Sequence, residues 1–314
     1  MALNLDTIVT LAKILDQKTF DERLYNTFIR TKGGKRFVEY EKSLEKARGK
    51  DDIKKELIKL VEDESYEDKY QFYKLKRNLN QLKIDIKYIK EKGEAILENA
   101  LKEAYKIVPH NMSIKSNIYL YGGGANGGFT IDRKDIFINY GKYIGKKEEF
   151  IKILSHELYH SRKLSIESRI KFLFKMVFRV NRLIYGILGK ALEEGIASLV
   201  QHGSILKVDD PVDTLTRRNL LLCKEQFDLL NDILRDIKYG RINNKKIGKL
   251  NLYIIGYHIV TTIYNIEGVM VLDHWTENLE FREIIKRYIE ICNENQITSG
   301  IDKEIVEWIF IFPK

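Results

Sequence analysis

Two histidines and a glutamate near the middle of the chain, in Ser155-His156-Glu157-Leu158-Tyr159-His160, have the types and spacing for metal chemistry. On a helix, residues four apart lie one turn above each other, so His156 and His160 direct two imidazole nitrogens to one point. That arrangement suits a zinc ion, Zn2+. Glu157, beside the first histidine, is placed to take a proton from a metal-bound water without occupying a coordination position. The same six residues can also fall together by chance on a charged helix, so the surrounding segments have to carry the reading.

Upstream, Phe150, Leu154 and Leu158 repeat every four residues, which predicts a helix with a core-facing stripe and sets the histidines beside a buried face. Downstream, Ala191-Leu192-Glu193-Glu194-Gly195-Ile196-Ala197-Ser198 predicts a second helix. Its small residues Gly195 and Ala197 permit close packing against the first helix and would aim a glutamate at the metal. Two histidines and one carboxylate leave a fourth position for water, the pattern of a catalytic zinc rather than a structural one. Adjacent helical residues point about 100° apart, so Glu193 and Glu194 cannot both face one ion.

These residues resemble the gluzincin clan of metallopeptidases, in which His-Glu-x-x-His is followed on a later helix by Glu-Gly-x-Ala. Glu194-Gly195-Ile196-Ala197 matches that motif, and the resemblance makes Glu194 the third ligand. A metzincin pattern would need glycine at Lys163 and histidine at Ile166; neither is present. Some gluzincins place an aspartate four residues after the ligand glutamate to orient a zinc-bound histidine. Here that position is Ser198, a weaker acceptor for an imidazole N–H.

A third stretch, Leu252-Tyr253-Ile254-Ile255-Gly256-Tyr257-His258, offers donors for the negative oxygen that develops in peptide hydrolysis, with Tyr257 and His258 as catalytic candidates and Tyr253 behind them. The order of features resembles a group of bacterial zinc-dependent peptidases with a helical N-terminal region, a glycine-rich hairpin, the two metal motifs and a Gly-Tyr helix. The alternative for Tyr257 is an aromatic on a packed helix. His202 and His274 read as surface or core histidines.

The elements that must position these groups are mostly helical. The chain has 314 residues, 44% hydrophobic and 32% charged, with only 3 prolines, a globular composition without Pro-rich linkers. Only helices are expected up to about His110, with Thr19-Phe20-Asp21-Glu22 as a capping box, Gly33-Gly34 as punctuation and a long Lys-rich helix from Tyr66 to Val108 broken near Gly93. Tyr70, Phe72 and Tyr73 are assigned to packing rather than to substrate. Ile118–Tyr121, Phe129–Ile131 and Asp135–Asn139 read as strands, the first two joined across Gly122–Gly128 by a flexible hairpin connection. The glycine run has no Gly-Lys-Ser/Thr ending and leads into a strand, which excludes a phosphate loop. The zincin resemblance implies that Ile136 to Tyr140 form an edge strand for the extended substrate.

Between the metal motifs, Ile166 to Lys190 mixes Phe172, Leu173, Phe174, Met176, Val177 and Phe178 with Lys171, Lys175, Arg179 and Arg182. Charge interrupts it too often for a transmembrane span; packing within the domain is favoured over peripheral contact with a membrane. The net charge of +9 is scattered among acidic residues and carries no nucleic-acid-reading motif. Two cysteines, Cys223 and Cys292, and an opening without a signal-like apolar block point to the cytoplasm.

The expectation is therefore an α+β, mostly α chain, with residues 1–112 a helical N-terminal region and 113–314 a zincin-like catalytic domain. It would hydrolyse peptides or proteins as a zinc metallopeptidase. An inactive metal-binding interaction protein and a basic nucleic-acid-binding protein are the competing readings.

Overall fold

The computed structural model describes residues 1–44 and 49–311. Packing divides them into two compact units, residues 1–103 with 114–161, and residues 104–113 with 162–314. The fold is α+β and mostly α, with one four-stranded sheet.

The first unit contains β1 (Ala2–Asn4), α1 (Asp6–Leu15), α2 (Glu22–Arg30), α3 (Lys32–Ser43), α4 (Lys50–Glu62), α5 (Phe72–Arg77), α6 (Leu79–Ala104), β2 (Asn117–Tyr121), β3 (Gly128–Ile131), β4 (Asp135–Asn139) and α7 (Lys147–His160). The strands run in the order β1-β2-β4-β3. β1 and β4 lie parallel to β2, and β3 is antiparallel to β4. Several expectations change here. The N-terminal residues are not purely helical, because Ala2–Asn4 pairs with Asn117–Tyr119 at the sheet edge. That partner is more than a hundred residues away, beyond any local pattern. The glycine run does not close a hairpin: β2 and β3 are separated by β4. It is also pinned rather than loose, since the buried Asn139 amide donates to the carbonyls of Gly123 (2.8 Å) and Asn126 (2.9 Å). Ile136–Asn139 is an interior strand, and the edges are β1 and β3.

Strand alternation gives the sheet two different faces. On one, Tyr119, Phe137 and Phe129 form a stacked ladder across three strands, with centroids 5.2 and 5.3 Å apart, and Tyr40 of α3 stacks on Phe129 at 5.1 Å. On the other, Ile118, Leu120, Ile136 and Ile138 are fully buried, and the register puts Thr130 beside Ile136 on that same face. Phe150, Leu154 and Leu158 are buried on α7 as their period predicts. Tyr70 and Phe72 are core residues. Gly33 and Gly34 sit inside α3, Gly93 sits inside an unbroken α6, and Asp21, not Thr19, caps α2 through the Arg23 and Leu24 amides.

The second unit contains α8 (Ile166–Lys175), α9 (Arg179–Ile184), a π-helical turn at Tyr185–Gly189, then α10 (Lys190–His202), α11 (Arg217–Leu220), α12 (Cys223–Lys238), α13 (Asn244–Ile247), α14 (Leu252–Glu267), α15 (Asp273–Thr276), α16 (Phe281–Glu294) and α17 (Lys303–Ile311). Its centre is the pair α10 and α14. They meet backbone to backbone: a Cβ on Gly256 would lie 1.8 Å from the Ala191 carbonyl oxygen, and one on Gly195 would lie 2.3 Å from the Gly256 carbonyl carbon. The small residue Gly195 thus serves the approach of α14 to α10.

Gly256→Ala should lower stability by at least about 3 kcal/mol, because two helix backbones would have to separate. Gly186→Ala, whose added methyl meets nothing within 4 Å, should be neutral or stabilising by up to about 1 kcal/mol. Urea midpoints of both variants read the contrast.

Candidate metal centre

The helix α7 carries His156, Glu157 and His160 in its last two turns, with His156 and Glu157 buried. The two imidazoles are oriented edge to face, and their Nε2 atoms lie 3.1 Å apart. Two nitrogens bound tetrahedrally at about 2.05 Å to one zinc stand roughly 3.3 Å apart, so the histidine pair already has the spacing a zinc ion requires. Glu194 is grouped with them as a residue that could share a metal ion. One ligand atom from each of His156, His160 and Glu194 lies within 4.8 Å of the others. Two imidazoles and a carboxylate are a donor set that zinc accepts, with one position left over.

The neighbouring carboxylate has a different fate. Glu193 receives both terminal nitrogens of the fully buried Arg162, each at 2.8 Å, and the indole N–H of Trp275 at 2.6 Å. Arg162 Nε donates to the Thr276 carbonyl at 2.9 Å. A bidentate guanidinium–carboxylate pair of this kind orients both partners. Glu193 is thereby committed, which separates two glutamates that helix geometry alone leaves equivalent. The π-helical turn just before α10 is a local irregularity of the sort that recurs at functional sites. Trp275 packs on Gly189 at the end of that turn, where a Cβ would lie 2.6 Å from the indole.

Glu157 faces the sheet. Thr130 Oγ1 donates to its Oε2 at 2.7 Å. A Cβ at Gly128 would come within 3.2 Å of its Oε1, so the glycine leaves this carboxylate its space beside β3. Arg133 Nη1 donates to the His160 carbonyl at 3.0 Å and anchors the end of the motif. Sequence patterns give little hint of Thr130, Arg133, Arg162 or Trp275. The one available signal is Gly128, because a glycine inside a strand often marks a close approach.

Tyr257 and His258 are not members of this group, and their contacts lie within α14's surroundings. The Tyr257 hydroxyl donates to the Gly203 carbonyl at 2.8 Å, within an apolar cluster of Leu206, Leu215 and Ile254. Gly203 ends α10 nine residues beyond Glu194, about 13 Å of helix rise away. Burial pushes the Tyr257 phenol up to about 12. The His258 ring packs edge to face against Phe227 and Tyr288 at 5.5 and 6.2 Å, and burial lowers its pKa. Both residues build the core of α14; the Gly-Tyr pattern reports packing of that helix.

Opposite responses are expected from the two adjacent glutamates. Glu194→Gln should lose bound zinc with a modest change in stability of the metal-free chain. Glu193→Gln should keep the zinc site yet cost about 3 kcal/mol, by leaving a buried cation without its counter-charge. Elemental analysis paired with urea unfolding distinguishes them. For His258, a folded pKa below the unfolded value means that the unfolded chain takes up the proton first. Stability is then complete above about pH 6.5 and falls as the pH drops through the unfolded and toward the folded pKa. His258→Gln should flatten this part of the curve, measured by melting between pH 7.5 and 5.

Comparison with curated proteins and with solved structures gives no match. A family model does match, over residues 25–296, a span that includes every residue of the His156, His160 and Glu194 cluster. The chain belongs to the family described as "Putative zinc dependent peptidase (DUF5700)".

Proposed function

We propose that the protein is a zinc metallopeptidase that hydrolyses peptide bonds, with His156, His160 and Glu194 holding the metal and Glu157 acting as general base. The observation that carries this reading is the convergence of those three ligand side chains, two of them flanking a buried carboxylate that does not join the ligand set. The family description agrees with it, and the gluzincin resemblance supports the ligand order. Zinc held there would polarise the scissile carbonyl and lower the pKa of a water toward about 7. Glu157 takes the proton from the attacking water at one carboxylate oxygen and delivers it to the departing amine. Thr130, bonded to Oε2, holds the carboxylate so that Oε1 remains for that transfer.

The substrate-binding edge in this proposal is β3 rather than β4. β3 is a terminal strand of the sheet and bonds the Glu157 side chain through Thr130. An extended peptide added along it would lie beside the base and gain backbone hydrogen bonds with little sequence preference. Residues 113–314 are taken as the catalytic region and residues 1–112, helical apart from β1, as its scaffold. A cytoplasmic setting fits the two free cysteines. Among the described residues, no helix is long and apolar enough to cross a membrane.

Glu157→Gln should retain zinc and lose turnover by about a thousandfold or more, read by elemental analysis and by cleavage of a peptide library. Thr130→Val should reduce kcat by about tenfold and shift the acid limb of the pH–rate profile, because the base loses its orienting donor. Wild-type turnover from Glu157→Gln, or a zinc-loaded wild type that cleaves no peptide, would overturn the assignment.

A further inference from the structure

The helix α8 is inside out. At about 100° per residue, Ile166, Ile170, Leu173 and Phe174 fall within roughly one quadrant of its surface. These side chains point to solvent, Ile166 75%, Leu173 65% and Phe174 71% exposed. Ser168, Phe172 and Lys175 lie on the opposite side, and that side holds the helix to the protein. Ser168 Oγ donates to Asn278 Oδ1 at 3.2 Å, the Phe172 ring meets Tyr185 edge to face at 5.4 Å, and Lys175 pairs with Glu280. The apolar surface continues through exposed Val177 and Phe178 in the connection to α9. The expectation that this segment packs within the domain holds for Ile184, Tyr185, Ile187 and Leu188, which are buried, but not for the apolar side of α8. A contiguous exposed run of large apolar side chains marks a docking face.

The charges around the face select its occupant. Exposed Arg169, Lys171, Arg179 and Arg182 border it. Lys171 pairs with Glu167 at 2.6 Å, whereas Arg169, Arg179 and Arg182 have no acidic partner among the described residues. A second copy docked through the same face would set these arginines against each other with only Glu167 to offset them, a like-charge juxtaposition. A lipid surface has no such conflict. Its acyl boundary accepts Phe and Leu side chains, and its anionic headgroups accept the guanidinium groups at the same depth.

We propose that the α8–α9 corner docks the protein on an anionic membrane surface, with Leu173, Phe174, Val177 and Phe178 entering the interface and Arg169, Arg179 and Arg182 meeting the headgroups. The proposal does not depend on the peptidase reading.

The test uses the full chain and flotation with vesicles of phosphatidylcholine alone or mixed with an equal part of phosphatidylglycerol. The wild type should float with the anionic vesicles, and binding should fall as salt rises. The double variant Leu173→Asp, Phe174→Asp should bind about tenfold more weakly or worse, with an unchanged circular-dichroism melt because both side chains are already in water. In a Phe174→Trp variant, tryptophan emission should shift to the blue on adding anionic vesicles. Equal binding to both vesicle types, unaltered binding of the double variant, or a wild type that stays unbound would overturn the proposal. So would a wild-type dimer in sedimentation that the double variant disperses without any vesicle binding, since the face would then be a protein interface.

Discussion

The buried guanidinium of Arg162 decides which of the two adjacent carboxylates of α10 is committed to packing within the protein. Two adjacent carboxylates on one helix face different directions, and one must be withdrawn before the other can serve as a single, defined ligand. Arg162 and Trp275 together occupy both oxygens of Glu193. A charge with no exposure to water is tolerable only when fully paired, and Arg162 has a bidentate carboxylate and a backbone carbonyl for its donors. Glu194 is what remains for the ligand cluster with His156 and His160. The same pair fixes the rotation of α10 about its axis, which the glycine contact of Gly195 with Gly256 fixes in distance.

The sheet contributes through the difference between its faces and through its open edge. Stacked aromatics on one face bind it to α3. The other face is aliphatic except at Thr130, and there the single hydroxyl meets the single carboxylate of α7 that points toward it. A polar pair set among apolar neighbours is costly unless satisfied, so the Thr130–Glu157 bond holds the carboxylate in one orientation. β3 therefore combines two features, a bond to the Glu157 carboxylate and a place at the sheet edge.

Hydrophobic residues in this chain divide by what covers them. Those of α7 and α14 are buried by neighbouring elements, while those of α8 and its connection to α9 face outward although their composition is similar. Periodicity reports that a helix has two sides. It does not report which side the protein occupies, and in α8 the hydroxyl, aromatic and ammonium contacts of Ser168, Phe172 and Lys175 turn the apolar side away.

The amino-acid sequence by itself determined the elements whose causes are local. The spacing of His156 and His160 on one helical face, the core stripe of Phe150, Leu154 and Leu158, the strands near residues 118, 129 and 135, and the mostly helical character all follow from periods of 3.6 and 2. The choice of Glu194 as a ligand rested on a motif resemblance, not on geometry; the structure groups it with His156 and His160. Tertiary structure decided whatever depended on partners distant in the chain. It added β1 to the sheet, moved the edge from β4 to β3, turned the glycine run into a pinned crossing, and spent Tyr257 and His258 on the core of α14. It also chose between Glu193 and Glu194 by supplying Arg162 and Trp275. The reason is common to all of these: strand order, buried ion pairs and the outward side of a helix are set by which surfaces meet, and a one-dimensional pattern carries the surfaces but not their pairing.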